Sequence, residues 1–505
     1  MSLSGRHLFF ALVASCCIGL WFADLSSGGP DPWLTLKRIG QGILMPDFSD
    51  PMMLLNAAGL TLALAFCGVA FGAVIGLLLA PFYRIRWVRS LCIAVRALHE
   101  IFWALMLLNI TGLSPLTGVL AIGLPYAGIF AKVFSEYLDE TDARAEAALP
   151  FVASNLVRLL WVRVPACLPQ IAIYSLYRLE CGIRSSAVLG FIGLPTLGFH
   201  LESYFKQAHY PEAAAVFIVF LALILPLRHW VRWPLVPVFI AASIWALARL
   251  PFPPMGQGAA LRFLHDLVPA PIRTGADWGT WLDKVLIDQA MPGSIATLSL
   301  SQIALTGAAL LAALSFPLIV PRVVGRIGAA IGHGALVLLR STPEYMLAFV
   351  LLQIFGPSML PAILALALHN GAIIAHLLGR QSASMSVRPD ASTGLTFWGW
   401  ELFPRLSGTF WALCLYRWEI ILRETAIMGL LGIGTLGFYV QMNLQQLRID
   451  RALILLLATI LLTAMIDALS RYLRRGMQNA PTLRIEGSRG PTGNNAALKT
   501  PDPCR

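Results

Sequence analysis

Tyr177-Arg178-Leu179-Glu180-Cys181-Gly182-Ile183-Arg184 leads into Gly190-Phe191-Ile192-Gly193-Leu194-Pro195-Thr196-Leu197-Gly198-Phe199. The same pattern returns as Tyr416-Arg417-Trp418-Glu419-Ile420-Ile421-Leu422-Arg423, followed by Gly429-Leu430-Leu431-Gly432-Ile433-Gly434-Thr435-Leu436-Gly437-Phe438. Because 419 − 180 and 437 − 198 both give 239, the register holds across the whole block, and the chain is one unit written twice. The copies differ at Ser185 against Glu424 and at Pro195 against Gly434.

These charges lie inside apolar runs. Of 505 residues, 57% are hydrophobic and only 12% charged, with a mean hydropathy of +0.73; soluble domains carry about a quarter charged residues. The balance excludes a soluble globule and predicts an all-α polytopic membrane protein. Stretches long enough to cross roughly 30 Å of hydrocarbon fall near 8–24, 54–80, 90–110, 115–136, 168–193 and 210–227, then near 234–250, 293–317, 331–354, 358–377, 407–431 and 450–470. About twelve transmembrane helices follow, in two parallel six-helix repeats over 1–228 and 229–475, with a disordered cytoplasmic tail over 476–505.

Translocating Lys and Arg is disfavoured, so short basic loops mark the inside. With the N-terminus inside, fourteen arginines lie in inside stretches before the tail, among them Arg84, Arg86 and Arg89, against seven Lys and Arg in the longer outside stretches. Both termini are therefore expected in the cytoplasm. The formal charge of +11 reads as this topology signal plus a basic tail, with no nucleic-acid partner. The eight cysteines have neither metal-ligand nor disulfide spacing. The first apolar run, after Arg6-His7, reads as an uncleaved span, and 25–51 reads as an irregular or interfacial outside segment.

Further landmarks repeat. Thr61 and Pro81 match Thr297 and Pro317 at an offset of 236, and Arg96-Ala97-Leu98-His99-Glu100 matches Arg340-Ser341-Thr342-Pro343-Glu344 at 244. Arg and Glu four apart share a helix face and can pair. Between the fourth and fifth spans of each half lies a cytoplasmic loop of roughly 30 residues, long against the usual connection. The first contains Glu146-Ala147-Ala148, Ser154 and Pro165; the second contains Gly394 and Pro404, with no Glu-Ala-Ala.

Counting from residue 168 at 1.5 Å per residue, Glu180 falls roughly 18 Å into the membrane. Each central charge costs about 2.5–3.5 kcal/mol, so these residues face protein or water. Two readings stand: the helices line a route, or the Glu180–Arg184 and Glu419–Arg423 pairs lock two helices together. The glycine runs likewise read as a gate or anion contact, or as helix stops. No Gly-Lys dipeptide occurs, so no phosphate loop exists and any ATPase is a separate chain. No catalytic triad, metal set or cofactor is expected.

Taken together, these residues resemble the membrane permeases of bacterial ABC importers of the phosphonate and phosphite type. The likeness rests on Glu146-Ala147-Ala148 with Pro165, on Arg340-Ser341-Thr342-Pro343-Glu344, on Leu120 to Glu136, and on Tyr-Arg-x-Glu-x-x-x-Arg before the glycine run. It covers about 52–227 closely and 294–470 more loosely; Val152, His99 and the glycine runs depart from the pattern. The resemblance implies a fused pseudo-dimer in the bacterial inner membrane that moves a small oxyanion inward. It implies two cytoplasmic ATPases on loops 137–167 and 378–405, and a periplasmic or lipid-anchored solute-binding protein outside. Coupling to the ATPases would then fall to Glu146, Ala147, Ala148, Ser154, Pro165, Gly394 and Pro404. The translocation pathway would fall to Arg178, Glu180, Arg184, Arg417, Glu419, Arg423, Glu424, Arg96, Glu100, Arg340 and Glu344, with Gly193, Gly198, Gly432 and Gly437, and would be asymmetric. The alternative is a secondary active transporter for a small anion, with six plus six parallel repeats; it gives no account of the two long loops.

Overall fold

The computed structural model describes residues 5–26, 28, 31–141, 154–250, 258–383, 385–387 and 390–478, and these contain helices and no strand. Glu146, Ala147, Ala148, Val152 and the tail from 479 lie outside the described residues. The first half runs α1 (Gly5–Phe22), α2 (Pro32–Leu44), α3 (Pro51–Leu79), α4 (Arg86–Ala97), α5 (Glu100–Thr111), α6 (Pro115–Asp139), α7 (Val164–Val188), α8 (Leu197–Lys206) and α9 (Tyr210–Ile224). The second runs α10 (Val236–Ala248), α11 (Met291–Ser315), α12 (Pro321–Ser341), α13 (Glu344–Phe355), α14 (Met359–Ala383), α15 (Phe403–Leu430), α16 (Leu436–Gln445) and α17 (Ile449–Gln478). From α3 to α9 and from α11 to α17 the two halves repeat helix for helix.

The protein is an all-α polytopic membrane protein. Among the described residues, eight helices are long and apolar enough to cross a membrane, or nine with α4 and α5 taken as one broken span. This differs from twelve straight spans for local reasons. Helices α9 and α10 are apolar but have only 15 and 13 residues, and α15 carries Arg417, Glu419, Arg423 and Glu424 in close succession.

The third span of each half is broken. Helices α4 and α5 meet at 94°, with Leu98 extended at ψ 140° and the His99 ring capping α5 by accepting from the Ile101 N–H at 3.3 Å. In the second half Pro343 has no N–H and pushes Thr342 extended, ψ 120°. Arg96 and Glu100, like Arg340 and Glu344, therefore do not share one helix face. The 25–51 segment also departs from irregular structure: Asp31 accepts from the Leu34 N–H at 3.0 Å and, with Pro32 in the first turn, starts α2.

The densest packing is between α3 and α6. Gly68, Gly72 and Gly76 recur every fourth residue, and a Cβ on each would strike the side chain of Ile122, Tyr126 or Phe130 in turn; small residues at this spacing let helix backbones approach closely. The opening helices cross over. Helix α1 packs on α11 of the second half, where Gln302 Nε2 donates to Ser15 Oγ at 2.7 Å. Helix α10 packs on α3 of the first half, with Phe239 stacked on Phe66 at 5.3 Å between centroids. The sequence repeat is linear, but the packing interlocks.

Both glycine runs contain a left-handed glycine and anchor the next helix in the same way. After α7 a short 3-10 turn, Leu189–Ile192, leads to Gly193 (φ +97°), whereas α15 runs on to Leu430 before the matching turn with Gly432 (φ +88°). The Leu197 N–H donates to Thr61 Oγ1 at 3.0 Å, and Leu436 N–H to Thr297 Oγ1 at 3.0 Å, so the repeated threonines hold the starts of α8 and α16. A Cβ on Gly198 or Gly437 would collide with the Ala187 or Ala426 carbonyl oxygen. Gly198→Ala is expected to cost about 1–3 kcal/mol, read as a lower melting temperature in detergent. Gly434→Ala, with open space around the new Cβ, should melt like the parent; equal melting of both variants would refute the packing account.

Candidate translocation site

Helices α7 and α15 carry the repeated charges. Each follows a single wide helical turn, Leu159–Arg163 and Phe397–Leu402, with Pro165 and Pro404 in the first turn of the helix proper. Ser154 caps the short turn Asn155–Arg158 through the Val157 N–H, and Gly394 opens the second loop's helix at φ +70°. Fifteen residues beyond each proline, Glu180 on α7 meets Arg184 at 3.3 Å, and Glu419 on α15 meets Arg423 at 3.6 Å. The four side chains are only 15–23% exposed, so each pair neutralises itself where solvent is scarce.

The pairs are also tied across the halves. Arg423 Nη1 donates to the Arg96 carbonyl oxygen of the first half at 3.3 Å, and its charge acts on Glu100. In return, the Arg184 charge acts on Glu344 and Glu424 of the second half. The carboxylate at the start of each half's α5 or α13 thus lies in the field of the other half's arginine.

Beneath this exchange the two halves differ. In the first, Glu100 accepts from the Ser185 hydroxyl, which in turn lies 3.3 Å from Tyr126 OH. In the second, Glu424 replaces Ser185 and accepts from Asn370 Nδ2 at 2.8 Å, while Asn370 Oδ1 accepts from Arg417 at 3.2 Å. His369 lies 3.7 Å from Glu344 and bonds the Thr342 carbonyl through Nδ1 at 2.8 Å. Among the described residues, Glu344, His369 and Glu424 bring their ligand atoms within 4.8 Å of one another. A cation there would face the Asn370 amide hydrogens and the fields of Arg184, Arg417 and Arg423. That surrounding positive charge suits a hydrogen-bonded acid cluster better than a metal centre.

Sequence reasoning singled out the arginines and glutamates but missed Tyr126, Ser185, His369 and Asn370 as their partners. The signal was present: Tyr126 and Asn370 are equivalent at an offset of 244, two polar residues at one position of an otherwise apolar helix. The turn glycines Gly193 and Gly432 sit at the helix ends, away from the charged pairs, and the Leu197 and Leu436 N–H groups beside them are taken by threonines.

The chain is similar to known transport proteins. The phosphate-import permease protein PhnE of Mycolicibacterium smegmatis is 23% identical over 487 residues, 86% of this chain and 87% of the relative. The phosphite transport system permease protein PtxC of Stutzerimonas stutzeri is 32% identical over 230 residues, 43% of this chain and 82% of the relative. The chain belongs to the phosphonate-type ABC importer permeases. It is a fused, double-length permease, since the phosphite relative matches fewer than half of its residues while the mycobacterial one runs nearly its full length. A putative phosphite permease, HtxC of Stutzerimonas stutzeri, is 27% identical over 215 residues, 40% of this chain and 74% of the relative. No family model matches the permease, and no solved structure does. As a permease it is the membrane transport subunit of an import system and not itself an enzyme; such systems work with ATPase and binding-protein partners.

The cross-half contact is measurable. Arg423→Gln and Glu100→Gln are each expected to lower the melting temperature of the purified permease. The double variant should lose less than the sum, with a coupling of about 0.5–3 kcal/mol. Strict additivity would show that these charges do not interact across the seam.

Proposed function

We propose that this permease moves a small phosphorus oxyanion of the phosphonate or phosphite class into the cytoplasm, driven by two separate cytoplasmic ATPases. The observation that carries the reading is the duplicated arginine–glutamate pair on α7 and α15, with Arg423 bonded to the Arg96 carbonyl of the opposite half and the Arg184 charge acting on Glu344 and Glu424. A route for an anion through hydrocarbon needs fixed positive charge, and that charge needs neutralising partners while no anion is present. The relatives, a phosphate-import and a phosphite transport permease, match this chemistry.

In this reading the ATPases dock on loops 137–167 and 378–405. Supporting a site in each half, Leu156 and Leu395 are 63% and 74% exposed and Trp161 and Trp400 are 77% and 83% exposed, both pairs at the offset of 239. Glu146, Ala147 and Ala148 would make the first contact, with Ser154 and Pro165 transmitting it into α7; Gly394 and Pro404 would do the same for α15. A solute-binding protein docks on the outer face, both termini lie in the cytoplasm of a bacterial inner membrane, and the repeats 1–228 and 229–475 rock as a pseudo-dimer.

The test is ATP-driven uptake of labelled phosphite, methylphosphonate and phosphate in proteoliposomes holding the permease, its ATPases and its binding protein. Glu146→Lys should abolish uptake while the protein still inserts. Normal ATP-driven uptake by that variant would sink the coupling assignment.

A further inference from the structure

Arg178 and Arg417 are equivalent in sequence, at an offset of 239, but not in surroundings. Arg417 is committed: it donates to Asn370, whose amide also holds the Glu424 carboxylate. Arg184 and Arg423 are paired with Glu180 and Glu419. Among the described residues, Arg178 makes no ion pair with a carboxylate. Its guanidinium carbon lies 5.7 Å from the Tyr126 ring centroid, 5.3 Å from Tyr174 and 5.8 Å from Tyr177. Its Nε donates to Tyr174 OH at 3.0 Å, and the groups acting on its charge are these tyrosines and Cys181.

This arrangement belongs to the first half alone. The position of Tyr174 is Leu413 in the second half, and that of Tyr126 is Asn370. Ring faces hold a guanidinium in place through its positive charge, yet they do not neutralise it, and an uncompensated guanidinium deep in a membrane protein is costly. Fixing the plane through Nε and three rings leaves the two terminal nitrogens as a fork, the geometry that takes two oxygens of one anion. Because Tyr174 OH accepts from Nε, its own hydrogen remains available to a third oxygen. The group also faces the seam between the halves. The Arg417 charge acts on Tyr177, Tyr416 acts on Tyr174, and Tyr177 and Tyr416 are 47% and 48% exposed although both lie well inside their helices.

We infer that the oxyanion contact in the route is one-sided: Arg178, set by Tyr126, Tyr174 and Tyr177, binds a tetrahedral oxyanion, while Arg417 is a positioning residue held by Asn370 in the field of the Glu424 carboxylate. The inference rests on the importer reading above and deepens it by naming which of the duplicated arginines meets the cargo. A bidentate charged contact on one wall, without a matching arginine opposite, binds well enough to admit an anion and weakly enough to release it.

The experiment uses the full complex in proteoliposomes and measures ATP-driven uptake of labelled phosphite, methylphosphonate and phosphate. Arg178→Gln should lower uptake about tenfold more than Arg417→Gln, the loss expected for one charged hydrogen-bonding contact, and Arg178→Lys should recover part of it. A second readout guards against misfolding: phosphite at tens of millimolar should raise the melting temperature of the detergent-purified parent and of Arg417→Gln, but not of Arg178→Gln. Equal losses in the two glutamine variants, or an equal phosphite shift in Arg178→Gln, overturn the assignment of Arg178 and leave the importer reading standing. A parent complex that imports none of the three anions overturns both.

Discussion

Ionised side chains within an apolar helix have to be matched, and the centre of this permease is arranged around that constraint. The arginines and glutamates of the repeated block on α7 and α15 interrupt largely apolar helices, at a cost of about 2.5–3.5 kcal/mol each at membrane centre if left facing lipid. Pairing four residues apart meets part of the need within each helix. The rest is met from the other half, through Arg423 on the Arg96 carbonyl and the mutual fields of Arg184 on Glu344 and Arg423 on Glu100. The seam between the halves is thus polar in an otherwise apolar molecule.

Around that seam the frame is rigid and interlocked. Glycines at four-residue spacing on α3 bring its backbone against α6, and the glycine runs pack backbone on backbone where α7 meets α8 and α15 meets α16. Helix α1 crosses to the second half and α10 to the first, so each half is clasped by a helix that precedes the other in sequence. Phe191 of the first half stacks on Phe349 of the second at 5.5 Å, closing the seam beside the glycine run. Such packing is bistable more readily than it is compliant, which suits the rocking of the halves proposed above.

Much of this was legible in the sequence. The repeat, its offsets of 236, 239 and 244, the membrane class and the buried charged pairs all followed from residue order. Even the threonines Thr61 and Thr297, noticed only as landmarks, turned out to hold the starts of α8 and α16. Three things were not legible. The break at His99 needs no proline, only a ring that caps the next helix, and nothing local forces it. The crossing of α1 and α10 is a tertiary choice with no mark in composition. The partners Tyr126, Ser185, His369 and Asn370 are far in sequence from the charges they serve, and only the paired offsets pointed to them. The asymmetry at Ser185 and Glu424 was visible, but its consequence, a committed Arg417 beside an uncommitted Arg178, required the geometry.

The central claim is that the seam between α7 and α15 is the surface that moves during transport. It is tested most directly by cysteines at Tyr177 and Tyr416, in a chain whose eight native cysteines are replaced, assembled with its ATPases and binding protein. Disulfide yield between the two positions should change sharply between the nucleotide-free complex and one holding ATP and loaded binding protein. The same yield in both states, in a complex that still transports, would contradict the account.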